Sequence, residues 1–326
     1  MKKILALLLA LWIPAAVLSG CAPQDDSAAS NKLNIVTTIF PTYDWVREIL
    51  GAETDRAEIT MLLDSGVDLH SYQPTVDDIV KISDCDLFLY VGGESDGWVE
   101  DALKNAPNKE RKVIRLLDVL GDSAKAEETV EGMQEEEHNH EEEAEYDEHI
   151  WLSLKNVQVL VAAISEALQE TDPARKDAYA ANAAAYAEKL SALDGEYRAA
   201  VDSGKYKTLL FGDRFPFRYL ADDYGLDYYA AFPGCSAETE ASFETVSFLA
   251  GKMDALGLPC VLTIEGTQHK IAETIVQNTA QKNQQILTMD SMQAVTANDA
   301  ASGVSYLSIM EKNLSVLKKA LGQEAE

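Results

Sequence analysis

The chain has 326 residues, with 27 lysines and arginines against 55 aspartates and glutamates, which gives a formal net charge of −28. A surface this acidic repels phosphate backbones, so nucleic acid is excluded as a partner, but it attracts cations. Because 47% of the residues are hydrophobic, the chain can bury ordinary cores, and its length suits two domains better than one.

Residues 1–21 predict a lipoprotein signal peptide. Lys2 and Lys3 precede an apolar run, 4–17, that is too short to span a bilayer but has the length of a signal-peptide core. The run ends in Leu-Ser-Gly-Cys, which resembles the bacterial lipobox and implies cleavage before Cys21 and a lipid on its sulfur. The small polar residues 22–31 predict a flexible tether. We therefore expect an extracytoplasmic protein that a lipid anchors to the bacterial cell membrane.

Residues 32–171 predict an N-terminal α/β lobe. Short apolar runs rich in β-branched residues alternate there with helical patterns, which is typical of a parallel sheet covered by helices. The predicted strands are Leu33–Thr38, Glu58–Leu63, Asp86–Val91 and Lys112–Leu116, and the predicted helices are Tyr43–Leu50, Val76–Ile82 and Gly97–Lys104.

Residues 203–326 repeat the alternation and predict a second α/β lobe of similar size. Between the lobes, Asp172 and Pro173 form a helix start signal, and the alanine-rich segment 172–202 predicts one long rigid linking helix on the order of 40 Å in length. The predicted strands of the second lobe are Lys207–Phe211, Leu226–Ala231, Val261–Glu265 and Gln285–Met289, with helices at Glu240–Ala255 and His269–Thr279.

The segment between the first lobe's last strand and His149 is strongly acidic. From Glu127 to Glu148 the sequence contains twelve acidic residues and two histidines, His138 and His140, but no basic residue. Such a segment has too little apolar surface to order itself, so we expect a disordered, solvated loop over 123–147.

Three cysteines follow Cys21, which is an odd number and not a disulfide framework. Cys85 lies in a strand-like run and is most simply a small core residue. Cys235 follows one predicted strand and Cys260 begins another, so in a parallel sheet they would lie at opposite edges, out of reach of each other. This placement favours free thiols.

Four polar residues stand where predicted strands end, namely His70, Asp213, Glu265 and Asp290. Ligand groups gather at the carboxyl ends of strands in open parallel sheets, and a cleft between two lobes would bring these residues together with His149. Imidazoles and carboxylates suit a divalent cation such as zinc, at about 2.0–2.2 Å per ligand. Each residue also has an ordinary interpretation as a turn or helix-cap residue, so spacing alone leaves a joint site open.

Seven segments, in order along nearly the whole chain, carry a family resemblance: 66–75, 92–98, 147–152, 172–182, 219–226, 240–242 and 306–314. Together they resemble the metal-specific ABC-transporter solute-binding proteins, which are the zinc and manganese receptors. The resemblance implies two similar α/β lobes joined by one helix, with the metal site in the cleft between them. It also implies a non-enzymatic receptor, expected to be a monomer, that delivers its ion to an ABC permease in the membrane.

The resemblance implies roles for individual residues. His70 and His149 match the family's first two metal-binding histidines, and Asp290 matches its late carboxylate ligand. Zinc members usually have a histidine before the aromatic run that leads to Tyr-Gly-Leu, but this sequence has Asp213 and Arg214 there. Asp213 is the predicted replacement, because an arginine cannot bind a cation. The residues expected as alternative ligands, or as groups that orient a histidine, are Glu240 and Glu265.

Two features favour different metals. An oxygen ligand in place of a nitrogen favours manganese, because Mn²⁺ is the harder cation. The acidic segment favours zinc, since histidine-containing acidic inserts before the second ligand histidine are typical of zinc members, and His138 and His140 would capture the ion transiently. The same segment could also be a solvated linker without a metal role. Zinc is the predicted ligand, and manganese is the alternative.

Two other classes of function compete with a receptor. A secreted zinc metallohydrolase needs an open coordination position and a nearby general base, and the sequence has no His-Glu-x-x-His motif. A surface adhesin would expose a large apolar or aromatic patch, whereas only 8% of the residues are aromatic. The sequence therefore favours a zinc receptor that catalyses no reaction.

Overall fold

The structure is a computed structural model that describes residues 32–104, 106–134, 145–236, 240–266 and 269–323. The predicted signal peptide, the tether and Cys21 lie outside the described residues, as do His138 and His140. Within the described part of the chain, no helix is long and apolar enough to cross a membrane.

The N-terminal lobe contains a four-stranded parallel sheet in the order β2-β1-β3-β4. The two central strands are apolar and largely buried because helices cover the sheet, whereas the edge strands are partly exposed. The strands are β1 (Leu33–Thr37), β2 (Ala57–Met61), β3 (Leu87–Tyr90) and β4 (Lys112–Arg115). The helices are α1 (Phe40–Leu50), α2 (Val76–Asp84), α3 (Val99–Lys104), α4 (Leu116–Leu120) and α5 (Leu154–Thr171).

The long linking helix, α6, spans Lys176–Ser203 and follows a 3₁₀ turn at Pro173–Arg175. Its 28 residues correspond to about 42 Å at a rise of about 1.5 Å per residue. Buried residues at helical spacing form one apolar stripe along it: Tyr179, Ala183, Tyr186, Leu190, Leu193 and Tyr197. The predicted long helix is therefore confirmed.

The C-terminal lobe repeats the topology, with a parallel sheet in the order β6-β5-β7-β8. The strands are β5 (Thr208–Phe215), β6 (Asp227–Pro233), β7 (Cys260–Thr263) and β8 (Gln285–Thr288). The helices are α7 (Arg218–Tyr224), α8 (Phe243–Leu256), α9 (Lys270–Asn278), α10 (Ala297–Ala301) and α11 (Tyr306–Ala320). The predicted fold class, two similar α/β lobes with parallel sheets joined by a long helix, is confirmed.

Helix α5 is an element that the sequence analysis does not assign. Ser153 caps its first turn by accepting a hydrogen bond from the Asn156 amide at 3.0 Å. Its buried residues recur at helical spacing, and the helix packs along α6 and against the N-terminal sheet. The helical period was therefore present in the sequence, although the first half of the helix contains the β-branched residues Val157, Val159 and Val161.

The last helix, α11, returns to the N-terminal half of the chain. It packs on α6 and α1, and the Tyr306 and Trp45 ring centroids lie 5.5 Å apart. The Tyr306 amide donates to the Asp44 carboxylate at 2.8 Å, at the start of the helix. One apolar core therefore joins both lobes, the linking helix and α11, while residues of α8 and α9 form a second core with the C-terminal sheet.

The described part of the acidic segment has defined contacts with the C-terminal lobe. Residues 125–127 and 145–147 pair in antiparallel fashion, with a bridge between Ala126 and Tyr146. Further along, Glu131 pairs with Lys252 at 3.0 Å, and the Gln134 amide donates to the Ala231 carbonyl at 2.9 Å. The sequence predicts a solvated loop here, but residues 125–134 form an ion pair and a backbone hydrogen bond with the C-terminal lobe. Composition alone does not reveal these contacts.

Candidate metal centre

Two histidine rings meet at the carboxyl ends of the strands. His70 lies in the loop after β2, within a 3₁₀ turn that Asp68 caps by accepting from the His70 amide at 3.0 Å. His149 precedes the 3₁₀ turn Ile150–Leu152 and is fully buried. The Nε2 atoms of the two histidines lie 3.3 Å apart. A tetrahedral zinc ion with Zn–N bonds of about 2.0–2.1 Å separates two nitrogens by about 3.3–3.4 Å, so the spacing matches a pair of zinc ligands.

A carboxylate lies close to the Nδ1 atom of each imidazole. His149 Nδ1 is 2.9 Å from Asp147 Oδ1, and His70 Nδ1 is 2.8 Å from Ser95 Oγ and 3.5 Å from Glu148 Oε2. Asp147 accepts from His149 Nδ1–H and so fixes the tautomer in which Nε2 of that ring carries the lone pair. The hydrogen-bond partner of His70 Nδ1 is the Ser95 hydroxyl. The ring orientation therefore directs both Nε2 atoms toward one point.

Glu148 is buried close to the histidine pair. Its Oε1 accepts from the Ser95 amide at 2.8 Å, while its Oε2 has no hydrogen-bond partner among the described residues. Burial raises the pKa of this carboxyl to about 7. Gly93 makes room for it, because a Cβ at that position would lie 2.0 Å from Glu148 Oε1. A positive charge at the histidine pair would stabilise the ionised form of this buried carboxyl group.

The segment that carries His149 is anchored on both sides. The Tyr219 hydroxyl donates to the Asp147 carbonyl at 3.0 Å and accepts from the Lys125 amide at 2.8 Å. Trp151 Nε1 donates to the Ser291 carbonyl at 2.8 Å. These bonds come from the C-terminal lobe, so the second histidine is held at the junction of the two lobes.

The surroundings of His70 favour the neutral form of its imidazole. Burial, followed by the neighbouring His149 ring, lowers the pKa of His70 to about 3. A neutral imidazole has a free lone pair, which is the form that binds a metal ion.

Cys235 is the third residue of the cluster. Its sulfur and one ring nitrogen each of His70 and His149 lie within 4.8 Å of one another. Cys235 stands two residues after β6, and its amide donates to Glu127 Oε1 at 2.8 Å. Burial, followed by the neighbouring Asp147 and Glu127 carboxylates, raises the pKa of the thiol well above its usual range. Cys235 is a free thiol in the structure, as are Cys85 and Cys260.

The structure places Asp213 outside this cluster of three. Asp213 lies within β5, and its carboxylate accepts from the amides of Arg214 at 2.9 Å and Ile264 at 3.3 Å. Burial raises the pKa of its carboxyl. The neighbouring Arg214 guanidinium contacts Asp68 Oδ2 at 2.5 Å and donates to the Ser236 carbonyl at 3.1 Å. Arg214 thus ties the loop of His70 to the loop of Cys235.

Asp290 and Glu265 also lie outside the cluster, at the ends of β8 and β7. Asp290 Oδ1 accepts from the Met292 amide at 2.8 Å, and burial, followed by the nearby Glu265 charge, raises the pKa of Asp290 to about 6. Glu265 accepts three hydrogen bonds, two from Ser291 and one from the Gln293 amide. Glu240 is exposed, and its carbonyl accepts from Gln134 Nε2 at 3.5 Å.

A cleft of about 610 Å³ leads to the cluster. Its lining includes His70, Cys235 and Glu148 together with Glu145 and Tyr146 from the acidic segment. The described end of the acidic segment therefore lines the same cleft as two of the three clustered residues.

The sequence analysis identifies two of the three clustered residues and misses Cys235. It places Cys235 after a strand but considers it only as a disulfide partner. His70 is selected because it is a polar side chain that follows the carboxyl end of a parallel strand. The same rule also selects Cys235.

The chain has recognisable relatives. The family described as ZnuA, zinc-uptake complex component A, periplasmic, matches residues 35–320. The zinc-binding lipoprotein AdcA of Streptococcus pneumoniae serotype 4 is 33% identical over 99% of this chain and 62% of its own length. The high-affinity zinc uptake system protein ZnuA of Bacillus subtilis is 28% identical over 89% of this chain and 88% of its own. This chain thus spans less than two thirds of the AdcA relative.

Solved structures share the fold. The Zn(II)-bound ZnuA-like domain of Streptococcus pneumoniae AdcA superposes with a TM-score of 0.69 at 29% identity, covering 90% of this chain and all of that domain. The metal-dependent lipoprotein YcdH from Bacillus subtilis gives a TM-score of 0.71 at 26% identity, covering 89% of this chain and 99% of its own. The resemblance seen in the sequence is confirmed, and the chain belongs to the ZnuA family of zinc-uptake complex components.

Proposed function

We propose that this protein is an extracytoplasmic zinc receptor that captures Zn²⁺ between its lobes and delivers it to an ABC permease. In this proposal it acts as a monomer, catalyses no reaction and is held at the outer face of the cell membrane by a lipid on Cys21. The names of the relatives support zinc as the cargo and uptake as the process.

The observation that carries the proposal is the convergence of His70 and His149. Two Nε2 atoms lie 3.3 Å apart, while the opposite ring nitrogens contact Asp147 in His149 and Ser95 in His70. This arrangement matches the geometry in which proteins hold zinc. Imidazole nitrogens also favour zinc over manganese, which prefers oxygen ligands. His70 and His149 are therefore the proposed primary ligands.

Asp213 and Asp290 stay predicted ligands that variants can test. Each carboxylate accepts backbone hydrogen bonds from its own loop or a neighbouring strand, and an oxygen that accepts one such bond keeps a lone pair with which it could still bind a metal. The Glu265 carboxylate accepts three hydrogen bonds from Ser291 and Gln293, and this supports a role in fixing the loop after β8.

We also propose that the acidic segment attracts zinc, with His138 and His140 as transient ligands. The position of Glu145 and Tyr146 in the lining of the cleft supports this role, because it connects the segment to the site. Deletion of residues 135–144 should slow zinc uptake at low zinc concentration and leave the equilibrium affinity of the cluster nearly unchanged. Unchanged uptake kinetics would contradict the capture role.

Metal analysis tests the central proposal. Protein purified without added metal should contain about one zinc per chain, and competition with a chromogenic chelator should give its zinc affinity. His70→Ala should lose this zinc, while His269→Ala, a matched histidine outside the cluster, should retain it. Zinc binding in His70→Ala as tight as in the parent would contradict the site, and stronger retention of manganese than zinc would contradict the cargo.

A further inference from the structure

We propose that Cys235 supplies the third protein ligand to the metal, so that the receptor binds its cargo through two imidazole nitrogens and one thiolate sulfur. The inference rests on the proposed function, since it names a ligand of the same site. Cys235 would occupy the third ligand position of the metal site, for which the sequence offers no histidine.

Distance is the first support. The sulfur lies within 4.8 Å of both ligand nitrogens, and zinc with Zn–N of about 2.05 Å and Zn–S of about 2.3 Å needs a nitrogen–sulfur separation of about 3.5 Å at a tetrahedral angle. A displacement on the order of 1 Å therefore closes the site, which rotation of one short side chain and small shifts of a loop can supply.

The turn that carries Cys235 packs directly against the second histidine. A Cβ on Gly234 would lie 3.2 Å from Cε1 and Nδ1 of His149 and 2.9 Å from the Phe215 carbonyl, so the backbone there approaches the ring closely. On either side, Glu127 accepts from the Cys235 amide and Arg214 donates to the Ser236 carbonyl. The sulfur is thus held at the histidine pair by contacts before and after it.

The surroundings of Cys235 differ from those of the other two thiols. Cys85 and Cys260 are buried in the lobes, at the edge of β3 and in β7, and belong to the apolar core. Cys235 instead lines the cleft with His70 and Glu148. A core role explains Cys85 and Cys260, but it does not explain a cysteine beside two converging imidazoles.

Position makes the C-terminal carboxylates weaker candidates. Asp213 and Asp290 lie outside the cluster, and the Arg214 guanidinium cannot bind a cation. Among the described residues, Cys235 is the group from the C-terminal lobe that joins the two histidines. A sulfur ligand also changes the expected selectivity, since thiolates favour zinc and other soft or borderline ions and disfavour manganese.

Cobalt spectroscopy and X-ray absorption test the assignment on the purified protein. Co²⁺-loaded parent should show a sulfur-to-cobalt charge-transfer band in the near ultraviolet, and the zinc edge should show one sulfur at about 2.3 Å. Cys235→Ser should lose the band and bind zinc on the order of tenfold or more weakly. Cys260→Ala, which removes a thiol elsewhere in the lobe, should keep both the band and the affinity.

A rescue variant separates loss of a ligand from loss of structure. Cys235→His should recover much of the zinc affinity without the charge-transfer band, because imidazole is also a zinc ligand. Parent protein that binds one zinc with only nitrogen and oxygen neighbours would overturn the role of Cys235 and leave the receptor proposal intact. Parent protein that binds no zinc would overturn the receptor proposal itself.

Discussion

The two lobes have the same strand order, yet their polar side chains at the carboxyl ends of the strands behave differently. On the N-terminal side, His70 turns its Nε2 toward His149, and hydrogen bonds engage the opposite nitrogen of each ring. On the C-terminal side, Asp213 and Asp290 use their carboxylates to accept backbone amides. A position at a strand end therefore does not by itself bring a side chain into the cluster, which among the described residues contains His70, His149 and Cys235.

The largest effect is expected from removing an imidazole. His149→Ala should weaken zinc binding on the order of 100-fold or more, since loss of an orienting partner alone costs roughly 10- to 100-fold. Chelator competition measures the change, with His269→Ala as the matched control. An affinity within threefold of the parent would mean that the converging rings are not the ligand set.

A smaller loss is expected from Asp147→Asn, which keeps the size of the side chain but removes the carboxylate that accepts from His149 Nδ1. Zinc affinity should fall roughly 10- to 100-fold, because the amide can present its NH₂ to the ring and destabilise the required tautomer. Asp213→Asn is the matched control in the other lobe. Equal losses in the two variants would remove the contrast between the lobes.

Gly93→Ala tests whether the position of Glu148 matters. The added methyl group would collide with the Glu148 carboxylate and displace it from behind His70, so zinc affinity should fall about tenfold. Gly251→Ala, where a Cβ meets nothing within 4 Å, controls for the loss of a glycine. Thermal denaturation of both variants shows whether the fold is kept, and a folded Gly93→Ala protein with unchanged affinity would contradict the role of Glu148.

The smallest effect is expected from Asp213→Asn and Asp290→Asn. An amide oxygen can still accept the backbone hydrogen bonds, so zinc affinity should change less than about threefold if neither carboxylate binds the metal. Isothermal titration calorimetry measures this. A loss near that of His149→Ala in either variant would establish that carboxylate as a ligand and weaken the case for Cys235.

Much of the fold and the approach of His70 to His149 could be predicted from the sequence. Strand and helix periods reveal both sheets and α6, and the strand-end rule places His70 near His149. The bonding of Asp213 could not be predicted, because its partner Ile264 follows the neighbouring strand β7 and the contact depends on how β5 and β7 pair. Sequence spacing carries no information on such pairings across the sheet.

The chain passes between the lobes by three routes: α6 connects them, α11 returns from the C-terminal sheet to pack on α1, and residues 125–134 leave the N-terminal lobe to lie along β6 and α8. These three connections restrict rigid-body motion of one lobe relative to the other. In the proposed function, release of the ion would then require only local rearrangement of the short loops that carry His70 and Cys235. A receptor built in this way would present nearly the same outer surface whether loaded or empty, and a partner would have to sense its loading through those loops.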